Sequence, residues 1–191
     1  MTTKRVFVAI DLSDGAINAA SSHIEHLKRR FPHVKARWIR PENLHVTLRF
    51  AGNIDAGELA GLQDRVARVA GTFDAPTVTV EKTGAFIRRK SRSNVLWLGI
   101  SSHTDDGRAG VLEDLMARLD DEDRGPVHHR SPHLTIARLS DANAAQKMVD
   151  AHLAAAVGPV SFKVPEIVIY QSELTPRGSI YTAISRHQLL L

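Results

Sequence analysis

The chain of 191 residues has no cysteine, few aromatic residues and no long apolar run. Without cysteine there are no disulfides, thiolate nucleophiles or cysteine-ligated metals. The first apolar run, VFVAI at 6–10, is five residues long and is closed by Asp11. This run is too short for a signal peptide or a membrane span, so we predict a cytoplasmic protein with no membrane contact.

Common motifs of phosphate and metal chemistry are also missing. The chain has no G-x-x-x-x-G-K loop, no G-x-S-x-G turn and no H-E-x-x-H helix, which argues against ATP hydrolysis, a serine esterase and a zinc protease. His129 and His133 have the spacing that suits zinc on a helix, but Pro132 and the strand pattern after it exclude a helix there. We expect neither a metal nor a cofactor.

The composition is that of a globular protein with one sizeable core. Residues are 43% hydrophobic and 24% charged, and the formal net charge is +4, which suits a phosphate-bearing partner. The length and the lack of a Pro-, Gly- or Ser-rich linker predict one domain over 1–191 with two internally related lobes. The densest positive run is either a solvated loop or a contact for RNA. It consists of Arg88, Arg89, Lys90 and Arg92.

Apolar residues recur at intervals that switch repeatedly between two and about 3.6 residues, the periods of strands and helices. Strands and helices interleaved in this way predict an α+β fold. The predicted strands are 4–12, 44–50, 77–86, 94–100, 133–138, 161–172 and 179–185, and the predicted helices are 14–30, 55–69, 108–119 and 141–155.

One order of elements occurs twice: strand, helix, His-x-Thr strand, helix, strand. The first copy covers 6–80 and the second covers 95–164. We interpret the repetition as an internal duplication that is too diverged to show as sequence identity. Two copies of one unit pack naturally about a pseudo-twofold axis. The repeat therefore predicts antiparallel sheets that line a central cleft, with the two His-x-Thr strands facing one another.

The repeated motif reads LHVTL in the first copy and HLTIA in the second. Because side chains alternate along a strand, His45 and Thr47 are expected to share a polar face with Arg49. Phe50 is expected on the opposite, apolar face together with Val46. The second copy follows the same rule, so each strand combines an apolar face for the core with an imidazole and a hydroxyl on the other face.

Two imidazoles and two hydroxyls, without metal or thiol, suit acid/base attack on a phosphoester. The ordinary histidine pKa of about 6.5 allows one ring to accept a proton while the other donates one. The hydroxyls can bind the non-bridging oxygens as charge develops on them. Six other histidines belong to no His-x-Thr motif, and we expect them at the surface. These are His23, His26 and His33 on or just after the first helix, and His103, His152 and His187.

The motifs and their surroundings resemble the 2H phosphoesterase superfamily. The stretches RVFVAIDL, RPENLHVTLRFAG, NVLWLGI, SPHLTIAR and VIYQSELTPRGSIYTAI are similar, in order over nearly the whole chain, to the RNA 2',3'-cyclic phosphodiesterase branch, also called 2'-5' RNA ligase. The resemblance implies a two-lobed α+β fold with a pseudo-twofold cleft. It also implies metal-free hydrolysis of an RNA 2',3'-cyclic phosphate end to a 2'-phosphomonoester.

The resemblance also implies roles for particular residues. His45 and His133 would be catalytic, and Thr47 and Thr135 would bind the phosphate. Arg138 matches the arginine that follows the second motif in the family, but strict alternation places it opposite to the face of His133. A bulge or the end of a strand is therefore needed for Arg138 to reach the site.

Within this reading we expect His133 to be the general base for water and His45 the general acid for the departing 3' oxygen. Phe7 or Tyr181 is expected to stack on a base, unless these rings belong to the core. We expect a monomer whose partners are RNA ends or cyclic nucleotides. Three alternatives stay open: a 2H enzyme for another cyclic nucleotide, 2'-5' ligation of RNA ends, and a non-catalytic RNA-end binding protein.

Overall fold

The computed structural model describes residues 2–87, 94–120, 131–140, 145–176 and 178–191. These residues form nine strands and four helices, and the fold is α+β, as predicted. In chain order they are β1 (Lys4–Asp11), α1 (Asp14–Arg30), β2 (Ala36–Trp38), β3 (His45–Ile54), α2 (Ala56–Ala70), β4 (Thr77–Phe86), β5 (Asn94–His103), α3 (Val111–Leu119), β6 (His133–Leu139), α4 (Gln146–Leu153), β7 (Val160–Lys163), β8 (Glu166–Thr175) and β9 (Gly178–Gln188).

Local sequence signals explain where the first two helices begin. The Ser13 hydroxyl caps α1 by accepting a hydrogen bond from the Ala16 backbone N–H. Asp55 and Glu58 form a reciprocal capping box at the start of α2. Both helices therefore begin within one residue of their predicted positions.

Several predicted elements differ from those of the structure. Helix α3 begins after Gly110, which has a φ of 75°, rather than at position 108, because a left-handed residue interrupts the helical backbone. The predicted strand 161–172 is two strands, β7 and β8, and Pro165 lies between them. The short strand β2 was not predicted. Residues 141–144 of the last predicted helix lie outside the described residues.

All the strands belong to one antiparallel sheet with the order β7-β4-β5-β6-β3-β1-β8-β9, and β2 pairs with β6. The two His-x-Thr strands, β3 and β6, are neighbours at the centre. Strand β1 flanks β3 and strand β5 flanks β6, which gives the sheet its two-lobed pseudo-symmetry. Strand β4, however, pairs with β5 and β7 rather than with the first copy. The two halves of the sheet therefore do not coincide with the two sequence copies. Strand β4 begins in the first copy but lies in the half that contains β5, because β4 and β5 form a hairpin.

The helices and strands share one apolar core. Ile24 and Leu27 of α1, Val66 of α2 and Leu115 of α3 are buried in the same cluster as Val46 and Leu134 of the central strands. Among the residues that the structure describes, no helix is long and apolar enough to cross a membrane.

A buried pair of histidines joins α1 to α4, which corrects the prediction that His23 and His152 are at the surface. His152 is fully buried. Its Nε2–H donates to the carbonyl oxygens of Gly84 at 3.0 Å and Trp97 at 3.2 Å. Because carbonyls only accept, Nδ1 of His152 is the acceptor of the 2.9 Å hydrogen bond from Nε2 of half-buried His23. His26, His33 and His103 are exposed, as predicted, and His187 is half-buried.

The histidine pair predicts a loss of stability in mild acid. Burial, and then charge repulsion from His152 and His26, lower the pKa of His23 to about 4. The unfolded chain keeps a value near 6.5 and therefore binds the proton first as the pH falls. Stability present above about pH 6.5 is lost progressively down to about pH 4, by about 2 kcal/mol after allowing for the partial exposure of His23.

Urea unfolding at pH 7.5 and pH 4.5 measures this loss. The His23→Gln variant can still donate to His152 and should lose about 2 kcal/mol less than the wild type on acidification. Exposed His33→Gln is the matched control and should follow the wild type. Equal losses in the wild type and in His23→Gln would contradict the assignment.

Candidate active site

Four polar side chains meet where β3 and β6 pair. Val46 lies opposite Leu134 in this antiparallel pair, and both side chains are fully buried on the core side. Successive side chains alternate, so the neighbours of Val46 and Leu134 project from the other face of the sheet. Extending the register by one residue places His45 beside Thr135 and Thr47 beside His133. Both predicted motifs thus share one surface.

Each imidazole is fixed through its Nδ1 atom by the backbone two residues earlier. His45 Nδ1 donates to the carbonyl oxygen of Asn43 at 2.8 Å, and His133 Nδ1 donates to that of Ser131 at 2.9 Å. Because the carbonyls hold Nδ1 as the donor, proton exchange in both rings is left to Nε2. Nε2 of His45 is also 3.0 Å from the hydroxyl of Thr47.

Aromatic rings pack against both imidazoles. The centroid of His45 is 4.9 Å from that of Phe7 and 5.3 Å from that of Tyr181. The centroid of His133 is 4.9 Å from that of Phe86 and 6.2 Å from that of Trp97. These contacts hold the rings in place. Phe86 was missed in the sequence, because an aromatic at the end of a strand carries no signal of what it faces.

A bulge in β6 brings Arg138 to the face of His133. Leu96 pairs with Ala137, but Trp97 pairs with Thr135, so Ile136 is an extra residue. The extra residue reverses the alternation: Ile136 and Ala137 are both buried and Arg138 is exposed. The condition that the sequence set for Arg138 to reach the site is therefore met.

A matching bulge in β3 overturns the prediction for the side chains after Thr47. Val8 pairs with Arg49 and Ala9 pairs with Thr47, which leaves Leu48 as the extra residue. Arg49 consequently turns away from the polar face, and its guanidinium donates to the carbonyl oxygen of Leu119 in α3. Phe50 is 64% exposed and occupies the position in β3 that Arg138 occupies in β6.

The surroundings of the two imidazoles differ in charge. Burial lowers the pKa of His45, whereas its hydrogen bond to Asn43 and the nearby carboxylate of Asp11 raise it. Burial also lowers the pKa of His133, its hydrogen bond to Ser131 raises it, and the positive charge of Arg138 lowers it. The contrast follows from the register: Asp11 lies opposite His45, whereas Gly99 lies opposite His133.

Asp11 is held by residues from the last two strands. It accepts hydrogen bonds from Tyr170 Oη at 2.7 Å and from Arg186 Nη1 at 3.2 Å. Burial, and then the hydrogen bond to Asp11, raise the pKa of Tyr170, so this phenol remains a donor. In the sequence Asp11 only marked the end of an apolar run; its role depends on strand pairing that local pattern does not reveal.

The two residues predicted to stack on a base, Phe7 and Tyr181, differ in exposure. Phe7 is 2% exposed and its ring is covered by Tyr170, at a centroid distance of 5.4 Å, and by Tyr181, at 4.9 Å. Phe7 therefore has no face left for a base. Its ring belongs to the core, which is the alternative that the sequence left open, and it packs against His45. Tyr181 is half-buried, and its role as a stacking ring stays a prediction.

Within the described residues no group of three or more His, Asp or Glu side chains could hold a metal. His129, which gave the sequence its zinc-like spacing with His133, lies outside the described residues. So does the basic run of Arg88, Arg89, Lys90 and Arg92.

Gly84 provides the space for the Trp97 ring that packs against His133. A Cβ atom at Gly84 would overlap the six-membered part of the Trp97 indole. We expect Gly84→Ala to displace this ring and to destabilise the fold by about 1–3 kcal/mol. Thermal or urea unfolding measures the effect. Gly61→Ala is the control, because no atom lies within 4 Å of its Cβ position in helix α2, and it should be neutral or slightly stabilising. Equal stability of the two variants would contradict the packing.

Two His-x-Thr strands side by side at the centre of an antiparallel sheet in an α+β fold define a two-histidine phosphoesterase. Comparison with known families agrees: the chain belongs to the LigT like phosphoesterase family, whose pattern matches residues 10–97 and 104–181. Membership in the 2H phosphoesterase superfamily and the hydrolase class are thereby confirmed.

The chain is similar to several proteins named RNA 2',3'-cyclic phosphodiesterase. It is 29% identical to the one from Thermotoga maritima over 94% of this chain and 92% of the relative. It is 30% identical to the one from Methanothermobacter thermautotrophicus, over 93% and 95%. Among solved structures, Escherichia coli LigT complexed with ATP has 27% identity and a TM-score of 0.66, with 99% of both chains covered. The complex of LigT with 3'-AMP has 26% identity and a TM-score of 0.64, also with 99% of both chains covered.

Proposed function

We propose that residues 1–191 form a single phosphoesterase domain with two related lobes that hydrolyses 2',3'-cyclic phosphate ends of RNA to 2'-phosphomonoesters. The proposed reaction uses paired histidines and no metal. The observation that carries it is the shared face of β3 and β6, where the backbone fixes both imidazoles through Nδ1 and leaves Nε2 available for proton transfer. The names of the relatives supply the substrate class.

The proposed reaction is one in-line displacement at phosphorus. Neutral His133 takes a proton from water through Nε2 as the water oxygen forms its bond to phosphorus. The bond between phosphorus and the ribose O3' breaks, and O3' takes the proton that Nε2 of the His45 imidazolium releases. The product carries a 2'-phosphate and a free 3'-hydroxyl, and one proton has passed from His45 to the ribose while another has passed from water to His133.

The unequal charges around the rings support this division of roles. Burial lowers the pKa of both rings and a backbone hydrogen bond raises it in both, so the nearby charges make the difference. Asp11 opposite His45 favours the imidazolium form that an acid needs, and Arg138 near His133 favours the neutral form that a base needs. Asp11 is the strand partner of His45, whereas Gly99 is the strand partner of His133. Of the two histidines, only His45 therefore has a carboxylate at the position paired with it.

The remaining side chains on the shared face bind substrate in this proposal. Thr47 and Thr135 donate hydrogen bonds to the non-bridging phosphate oxygens, where negative charge builds in the transition state. Arg138 adds a guanidinium at the edge of the same face. Tyr181 and the exposed ring of Phe50 offer flat apolar surface for the base.

The product of the reaction tests the proposal. The protein is incubated in EDTA with a mononucleotide and with an oligoribonucleotide that both end in a 2',3'-cyclic phosphate, and the products are identified by ³¹P NMR. We expect 2'-phosphomonoesters from both. A 3'-phosphomonoester would contradict the departure of O3', and loss of activity in EDTA would contradict the metal-free reaction. Failure to convert either substrate, with RNA binding retained, would show a binding protein instead.

A further inference from the structure

A basic groove leads away from the His45 side of the site. It lies between the segment from β2 to residue 43 and the β8–β9 hairpin, and its volume is about 460 Å³. We define the groove by six of its lining residues: Arg37, Trp38, Arg40, Asn43, Ser179 and Tyr181.

The groove is continuous with the candidate active site. The carbonyl oxygen of Asn43 fixes His45, and its side-chain amide donates to the carbonyl oxygen of Ser179 at 2.9 Å across the groove. Tyr181 belongs to the groove and also packs its ring at a centroid distance of 5.3 Å from His45. A chain bound in the groove would therefore arrive directly at His45.

The charge of the groove is positive and closely spaced. Arg37 and Arg138 lie opposite one another in the β2–β6 pair, and both are exposed. Like charges directly opposite on a sheet destabilise it, and a bound anion would remove that cost. Arg40 is the second guanidinium of the groove itself; it donates to the carbonyl oxygen of Ser179 at 3.2 Å and forms an ion pair with Glu42 at 3.3 Å.

An aromatic ring accompanies the charge at the far part of the groove. Trp38 is half-buried, and the Lys28 ammonium lies 5.8 Å from the centre of its ring. Arginines that track phosphates, together with rings on which bases stack, are the usual means of binding single-stranded nucleic acid without reading its sequence.

We propose that the basic groove binds the RNA nucleotides that precede the 2',3'-cyclic end, through their phosphates and without base-specific contacts. This inference rests on the proposed function, in which His45 protonates O3'. The ribose therefore lies at His45, and the strand continues from its 5' oxygen on the same side, where the groove begins. The protein should accordingly prefer a cyclic end on an RNA strand to a cyclic mononucleotide.

Substrate length tests the groove. The double variant Arg37→Gln/Arg40→Gln is compared with the wild type on a 2',3'-cyclic mononucleotide and on a tetraribonucleotide with the same end. We expect kcat/KM for the tetranucleotide to fall about tenfold, close to the value for the mononucleotide, which should not change. The dependence of log(kcat/KM) on log[salt] should become shallower by about 1.4 for the tetranucleotide, since two phosphate contacts are lost. Arg29→Gln in helix α1 removes one exposed charge outside the groove and should change neither substrate.

Two results would overturn the inference: an unchanged tetranucleotide reaction, or an equal loss on both substrates. If the wild type does not hydrolyse even the mononucleotide, the proposed function has failed, and fluorescence anisotropy with a labelled oligoribonucleotide tests the groove separately. In that measurement weaker RNA binding by the double variant supports the groove, and equal affinity overturns it.

Discussion

Replacing His45 or His133 by alanine should lower kcat for hydrolysis of a cyclic-phosphate RNA end by about 1,000-fold in each case. Positioned general acids and bases typically contribute about 100- to 10,000-fold. Because both rings serve one displacement in the proposed reaction, the double variant should lose much less than the product of the two single losses. Steady-state kinetics at neutral pH measures all three variants.

The control for these variants is His103→Ala, since His103 is exposed at the last position of β5, four residues beyond Gly99, where the pairing of β5 with β6 ends. It should keep wild-type activity. Unfolding curves should show that His45→Ala and His133→Ala still fold, so that the loss belongs to the chemistry. A single variant with activity within threefold of the wild type would show that its imidazole takes no part in proton transfer.

Replacing Thr47 or Thr135 by valine should lower kcat by about 100-fold, because in the proposed reaction each variant removes a hydroxyl donor to the transition-state phosphate while keeping the shape of the side chain. Removing one such donor typically costs about 100- to 1,000-fold. Thr47 also contacts Nε2 of His45 at 3.0 Å. Thr47→Val should therefore shift the pH–rate profile as well.

Serine provides the matched control for both threonines. Thr47→Ser and Thr135→Ser keep the hydroxyl and should retain most of the wild-type kcat, whereas the valine variants should not. If serine and valine variants were equally impaired, the threonine methyl groups and their packing would be what matters, and the phosphate-binding role would be wrong.

The core of the site follows from the sequence because strand alternation is a local property. The pattern around His45 and His133 fixes which face of each strand is apolar, and the repeat of the motif indicates that the two strands belong together. The structure places both strands at the centre of the sheet, side by side.

The bulges could not be predicted in the same way. The extra residues Leu48 and Ile136 are apolar in an already apolar strand, so the pattern looks unbroken while the faces of all later side chains are exchanged. For this reason the predicted faces of Arg49 and Phe50 are both wrong, whereas the bulge that Arg138 required is present.

Contacts between distant parts of the chain could not be predicted from local sequence patterns either. Asp11 meets Tyr170 and Arg186 only because β8 and β9 return beside β1. His152 is buried because α4 packs over β4, where its Nε2–H donates to the carbonyl oxygens of Gly84 in β4 and Trp97 in β5. Neither residue lies in a local pattern that distinguishes it from a surface side chain.

The most direct test of the paired-histidine reaction is a substrate whose leaving atom needs no proton. In a 2',3'-cyclic phosphorothiolate, sulfur replaces the bridging 3' oxygen and departs as a thiolate. His45→Ala should hydrolyse this substrate within about tenfold of the wild-type rate, because the acid it lacks is no longer needed. His133→Ala should remain as impaired as it is on the oxygen substrate. Recovery of His133→Ala in place of His45→Ala, or of neither variant, would contradict the account.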